Sequence, residues 1–326
     1  MRRREFITLL GGALTIRPRP ARAQKAVPVV GLLSSLSPEP VVKAVAAIYE
    51  GLKDQGFVAG QNVKSEERWA GGDYSRLPAM AKDLADRNVA VIITIGGNSA
   101  AEAAKSVTTK IPIVFATADD PVASGLVTSL SHPSSNLTGV SWLGVDLLAK
   151  DVDLLHELLP SVTTFGVLLN PGRPDIAVQL KIAQDAADKI GRKIRPLSVR
   201  VADDIDRAFA IITQEHIGAL IVSTDPLFNI KRDRIVRLAA QYATPTLYFL
   251  PDFAAAGGLM SYGSGLIDAY RQVGVYAGRI LKGEKPSELP VQQTTKIELV
   301  INLKTAKALG LSIPLPLLGR ADRVIE

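Results

Sequence analysis

Three places in this 326-residue chain set an Asp or Asn directly before Pro at the end of an apolar run: Asp120-Pro121, Asn170-Pro171 and Asp225-Pro226. There the side-chain oxygen can accept from the first free N–H groups of a helix, and Pro fills a first helical position that needs no N–H. Capping alone is enough to explain these residue types. At the carboxyl end of a buried strand, however, the same geometry aims N–H groups and the positive helix terminus into a cleft. A ligand with both carboxylate and ammonium groups could be held there, its anion by N–H and hydroxyl donors and its cation by Asp. Ser34-Ser35 and Asn98-Ser99 supply such donors after two other apolar runs, and neither loop contains Lys or Arg. Those loops suit a carboxylate or a neutral polar group better than a phosphate. Trp142, Phe228 and Tyr262 fall beside polar loop residues, where they could wall a ligand, and Ser141 next to Trp142 joins the candidate contacts. Phe249 and Trp69 are expected to pack in cores.

These residues punctuate short apolar runs at 29–33, 91–95, 113–116, 165–169, 219–222 and 246–250. Runs that are apolar throughout and rich in Val and Ile read as parallel strands buried on both faces, with amphipathic helices between them as crossovers. The fold class is α/β, and the length favours two domains over one. In such sheets ligands sit outside the carboxyl ends of the strands. The pattern runs twice and predicts a first lobe of 27–141 plus 253–288 and a second of 142–252 plus 289–326. The chain is expected to pass between lobes near 141, again near 250–256 and a third time near 285–293, with Gly257-Gly258 and Gly263 as bends at the return.

The formal charge of +6 invites a nucleic-acid reading that its distribution removes. Residues 1–23 hold six of the 38 basic residues and one acid, which leaves 32 basic against 31 acidic residues elsewhere. A balanced remainder cannot neutralise many phosphates. The basic start, the apolar span 6–16 and Ala21-Arg22-Ala23 read as a cleaved signal peptide over 1–23, too short in its apolar part to span a bilayer. Arg3-Arg4-Glu5-Phe6-Ile7 resembles the twin-arginine export motif. The chain has no Cys, so it offers no disulfide, thiol nucleophile or lipid-bearing residue, and free solution in a bacterial periplasm is the expected compartment. Three His (His132, His156, His216) cannot build a His-rich metal site. There is no GxGxxG, phosphate-binding loop, GxSxG or HExxH, so neither a cofactor nor an enzyme is indicated.

Four stretches together resemble one family: Trp69-Ala70-Gly71-Gly72-Asp73; 111–115 followed by Asp120-Pro121-Val122; 257–263 (GGLMSYG); and 289–311 (LPVQQTTKIELVINLKTAKALGL). They look like the substrate-binding proteins of ABC transporters whose characterised relatives include tryptophan-binding proteins. The resemblance implies a type I periplasmic binding protein fold: two Rossmann-like lobes with parallel sheets, joined by three crossovers, with the ligand between them. It further implies a monomeric receptor that closes on a small carboxylate-bearing ligand, an amino acid or aromatic acid, and presents it to an inner-membrane permease. A ligand-sensing regulator of the same fold is the alternative, but the leader stands where its DNA-reading helices would be needed; an enzyme on this scaffold is another. Asn98 and the doubled acid Asp119-Asp120 depart from the family's pattern at the expected pocket.

Overall fold

A computed structural model describes residues 27–133, 136–173 and 175–326. The leader expected at 1–23 lies outside the described residues. The chain runs β1 (Val29–Ser34), α1 (Val42–Asp54), β2 (Lys64–Trp69), α2 (Leu77–Asp86), β3 (Val91–Ile95), α3 (Asn98–Val107), β4 (Ile113–Thr117) and β5 (Leu137–Trp142). It continues through α4 (Leu148–Leu158), β6 (Thr164–Leu169), α5 (Ile176–Lys189), β7 (Lys193–Ser198), α6 (Asp204–Gln214), β8 (Ala219–Val222), α7 (Pro226–Ile230), α8 (Arg232–Gln241), β9 (Thr246–Tyr248), α9 (Pro251–Ala255) and β10 (Met260–Ser264). The last elements are α10 (Ile267–Leu281), β11 (Gln292–Thr294), β12 (Ile297–Asn302), α11 (Leu303–Ala308), α12 (Leu315–Leu318) and β13 (Arg323–Ile325).

Two sheets form, in the orders β11-β5-β4-β3-β1-β2 and β13-β12-β10-β9-β8-β6-β7. Every pairing is parallel except that of β10 with β12. The apolar runs are the central strands. In β3 all five residues are buried; Val91, Ile93 and Ile95 enter the core shared with α1 and α10, and Ile92 enters the core on the opposite face. Helices on both faces explain why such strands carry no polar alternation. The edge strands β2 and β7 are largely polar and partly exposed. Among the described residues no helix is long and apolar enough to cross a membrane.

The chain passes between the sheets three times, but two passages lie later than the sequence suggests. The first follows Trp142, the second falls between Ser264 and Ile267, and the third between Thr294 and Ile297. Residues 260–264 therefore belong with the second sheet and 292–294 with the first. Of the glycines read as bends, Gly257 does turn the chain, at φ +105°, whereas Gly258 and Gly263 serve close packing. A Cβ on Gly263 would lie 2.0 Å from the Phe249 carbonyl oxygen, and one on Gly258 would lie 2.5 Å from the Tyr248 ring. Those approaches hold β10 against β9. No helix follows Asp120: its Oδ1 accepts from the N–H groups of Val122 and Ala123, and the single turn it caps ends at Gly125, at φ +71°.

Candidate functional site

The carboxyl ends of the central strands of both sheets face one another across a cleft. On the first lobe, β3 hands over to α3 through Gly96 and Gly97, at φ +88° and +98°. Only glycine takes this path without strain. Space demands it as well, since a Cβ on Gly96 would lie 2.2 Å from Ser35 Oγ, which donates to the Gly96 carbonyl at 2.5 Å. The turn brings the start of α3 to the Asp119 carboxylate, whose Oδ2 accepts from the Asn98 N–H at 3.3 Å. The anion at this helix terminus is thus a residue of the protein itself.

From the second lobe, Arg173 reaches across. Its Nη2 donates to Asp119 Oδ1 at 2.6 Å and to Asp175 Oδ2 at 2.8 Å, and its Nε donates to Asp175 Oδ1 at 2.7 Å. Burial of the guanidinium opposes its charge, but the facing Asp119 and Asp175 carboxylates outweigh this and push its pKa up. Burial likewise raises the Asp175 carboxyl, and hydrogen bonding and attraction to Arg173 more than offset it, so its pKa is lowered. The Arg173 Nη1, beside Gly97, has no hydrogen-bond partner among the described residues.

Asp225 is the second buried carboxylate. It follows β8, and as N-cap of α7 its Oδ1 accepts from the Leu227 N–H at 2.7 Å and from Asn170 Nδ2 at 3.2 Å. Its Oδ2 accepts from the Tyr74 hydroxyl of the opposite lobe at 2.9 Å. Burial raises this carboxyl, against the pull of Arg173 and its hydrogen-bond donors. Tyr74–Asp225 and Asp119–Arg173 are polar ties between the lobes.

Beside these charges lies a cavity of about 550 Å³, counting the part open to solvent, walled by Trp142, Tyr270, Phe249, Leu250, Leu266 and Leu36. The Trp142 and Tyr270 rings meet edge to face at 5.7 Å between centroids. Volume, aromatic walls and a few convergent polar groups are the properties of a small-molecule site. Among the described residues no group of three or more His, Asp or Glu is arranged to hold a metal ion.

Of the residues singled out from the sequence, Trp142 and Asp225 border this cavity. Asn98, Ser99 and Asp120 border a second, adjoining chamber. Asn170 stands behind Asp225 as its hydrogen-bond donor. Ser141 is buried, and its hydroxyl has no partner among the described residues. Ser34 and Ser35 are fully buried with their hydroxyls engaged: Ser34 accepts from the Leu36 N–H and Ser35 donates to Gly96. Two aromatic expectations need correction. Phe228 is fully buried in the core of the second lobe, because α7 turns that face inward. Tyr262 packs on the flank of that lobe, where burial and the charges of Asp151, Asp322 and Arg320 act on its hydroxyl. Phe249 packs against the second lobe's core as expected and also borders the cavity. Sequence reasoning missed Arg173, Tyr74 and Tyr270. Arg173 lies two residues beyond the Asn170-Pro171 signal, and Tyr74 immediately follows the helix-capping Asp73.

Two α/β lobes with a ligand-sized cleft between them define a type I periplasmic binding protein, and solved structures with this fold match nearly the whole chain. Residues 29–325 match the family described as ABC transporter substrate binding protein, and the chain belongs to that family. The family binds substrates and does not convert them, so the chain is not an enzyme. A tyrosine-binding protein of Clostridioides difficile (strain R20291) is 27% identical over 274 residues, 82% of this chain and 77% of that protein. An ABC domain from Streptococcus pneumonia, solved in complex with L-Trp, is 26% identical with a TM-score of 0.82, covering 91% of this chain and 99% of that one. A ligand-free, open substrate binding protein with adhesive properties from Clostridium difficile is 25% identical with a TM-score of 0.64, covering 92% and 99%.

Proposed function

We propose that the chain is the exported receptor of an ABC importer. It works in the periplasm, closes on an amino acid with an aromatic side chain, and hands it to an inner-membrane permease. The observation that carries the ligand class is the pairing of opposite charges with aromatic walls in one cleft. The free Nη1 of Arg173 is a donor for a carboxylate, Asp119 and Asp225 are acceptors for an ammonium, and Trp142, Tyr270 and Phe249 border the apolar remainder. This replaces the Ser34 and Ser35 hydroxyls as anion donors, since Ser34 is engaged by the Leu36 N–H and Ser35 donates to the Gly96 carbonyl. The names of the relatives support the reading, one binding tyrosine and one solved with L-Trp. The higher TM-score with the L-Trp complex than with the ligand-free open structure, at nearly equal identity, supports a closed arrangement of the lobes. The twin-arginine leader read at 1–23 supports export.

The test is calorimetry of the purified protein against L-tryptophan, L-tyrosine and L-phenylalanine, with Trp142 fluorescence as a second readout. Saturable binding of at least one of them, weakened about tenfold or more in Arg173→Gln, is expected from loss of a hydrogen bond to a charged group. A protein that binds none of the three, while native mass spectrometry finds it carrying some other solute, overturns the ligand class.

A further inference from the structure

Asp151 is a buried acid that the cleft described so far does not use. It lies in the first turn of α4, is 3% exposed, and forms no hydrogen bond or ion pair among the described residues. Its side chain borders a small cavity of about 190 Å³ that adjoins the first one at Gly144, Thr224 and Phe249. On the same small cavity stands Gln179 of α5, 1% exposed, whose Oε1 is likewise without a partner among the described residues. The orientation of the Gln179 amide is fixed from its other end. Its Nε2 donates to Asp175 Oδ2 at 3.0 Å, the oxygen that also accepts from Arg173 Nη2 at 2.8 Å. A flipped amide would set its oxygen against that carboxylate, so the oxygen is the end turned away from Asp175, and it can only accept.

Two orphan acceptors on one cavity cannot satisfy each other as they stand, and one proton reconciles them. A neutral carboxylic acid carries an O–H donor, whereas a carboxylate has none. The surroundings of Asp151 favour the neutral form, because an isolated carboxylate withdrawn from water is far costlier than the acid. The neighbours of α4 bring Gln179 from α5, Ser223 from the end of β8 and Tyr262 from β10 towards it, and none of these is a cation. The Ser223 hydroxyl is committed to the Leu168 carbonyl. Burial is the one influence on the Asp151 carboxyl, and it raises it.

The proton matters for the cleft. An ionised Asp151 would draw the Gln179 amide nitrogen away from Asp175, the carboxylate that orients the Arg173 guanidinium through two bonds. A neutral Asp151 engages the amide oxygen and leaves the nitrogen where Asp175 needs it. We infer that Asp151 is a neutral carboxylic acid whose O–H donates to Gln179 Oε1, directly or across one water, and that it thereby positions Arg173 at the cleft. The cavity has room for a water, whose share of liquid volume is about 30 Å³. The consequence for binding rests on the reading of Arg173 as a solute contact: a guanidinium held through Asp175, Gln179 and Asp151 keeps its Nη1 aimed at a carboxylate.

The test needs no solute, so its failure and that of the amino-acid reading are distinguishable. An infrared difference spectrum of the parent against Asp151→Asn at neutral pH should show the carbonyl band of a protonated carboxylic acid, lost in the variant. In proton–nitrogen NMR the Arg173 Nε–H resonance, assigned by its loss in Arg173→Gln, should exchange slowly with solvent in the parent. It should stay slow in Asp151→Asn, whose amide N–H can replace the acid O–H. In Asp151→Leu, which offers no donor, that exchange should be about tenfold faster, the usual effect of leaving a buried acceptor unpaired. Backbone amides of β6 and β8 should keep the parent's rates, which a general loosening of the lobe would not allow. Gln179→Leu should speed the Arg173 proton in the same way, and it decides the matter if Asp151→Leu does not fold. Carboxylate bands alone in the difference spectrum, or an Arg173 exchange rate indifferent to these leucine variants, overturns the inference.

Discussion

Arg173 and Asp119 show how much a site depends on residues that no local pattern pairs. They stand 54 positions apart on different lobes, and each is almost withdrawn from water. Removing one partner of a buried pair strands the other charge, at a cost of about 3–5 kcal/mol. Asp225 and Trp142 were legible in the sequence because their signals are local: an acid before Pro after a strand, and an aromatic residue where the chain leaves a lobe. Arg173 was not, because the absence of Lys and Arg from the Ser34 and Asn98 loops says nothing about what the opposite lobe brings. Asp151 offers a residue-scale prediction of another kind. Burial alone pushes its carboxyl well above the usual value of 3.8, and its Oδ1 finds no partner among the described residues. A raised folded-state pKa gives stability that is fully present below the unfolded value and lost as pH rises through the folded one. Asp151→Asn removes that loss. Its melting temperature should therefore exceed the parent's by a margin that grows from pH 4 to pH 8, and thermal melts across this range check it; a margin that stays flat would assign the effect to packing instead.

Among the elements, the pairing of α1 with α10 does most to build the first lobe. The two helices approach through glycine: a Cβ on Gly274 would lie 1.9 Å from the Ile48 carbonyl oxygen, and one on Gly51 would lie 2.0 Å from that of Arg271. Backbone cannot yield as a side-chain tip can. Gly274→Ala should push the helices apart and destabilise the protein by about 1–3 kcal/mol, the usual range for overpacking, or more. Because α10 also carries Tyr270, the variant should perturb the Trp142 emission as well, and urea unfolding with fluorescence detection reads both effects. Central strands and long helices were legible because burial on both faces or one face leaves a period in the sequence. The strands β11 and β13 were not. Each is three residues long, polar or partly exposed, and defined only by the neighbour it pairs with. For the same reason the third passage between lobes was placed too early.

At the scale of the whole molecule, ligand binding and lobe closure are one equilibrium. Contacts present only in the closed form set the population of that form and hence the apparent affinity. The Tyr74–Asp225 bond joins the two lobes, and in the receptor proposed above it is such a contact. Tyr74→Phe keeps the ring and removes the hydroxyl. It should weaken ligand binding about tenfold, as loss of a hydrogen bond to a carboxylate does, mainly through faster dissociation. Stopped-flow kinetics and small-angle scattering of the unliganded variant check this, and an unchanged radius of gyration together with an unchanged dissociation rate would refute it. The three passages between sheets carry a further consequence, for the order in which the molecule can be made. Neither lobe is complete until late in synthesis: the first sheet waits for β11 and its α1 face for α10, both encoded beyond the other lobe's central strands, and the second sheet waits for β12 and β13. At about 5–20 residues per second, the stretch from Trp142 to Thr294 takes roughly 8–30 s to synthesise. For that interval Ala44, Ala47, Ile48 and Leu52 have no α10 to cover them. The nascent chain therefore carries an uncovered apolar helix face from its first helix onward, and a single cut in the gene separates neither lobe intact.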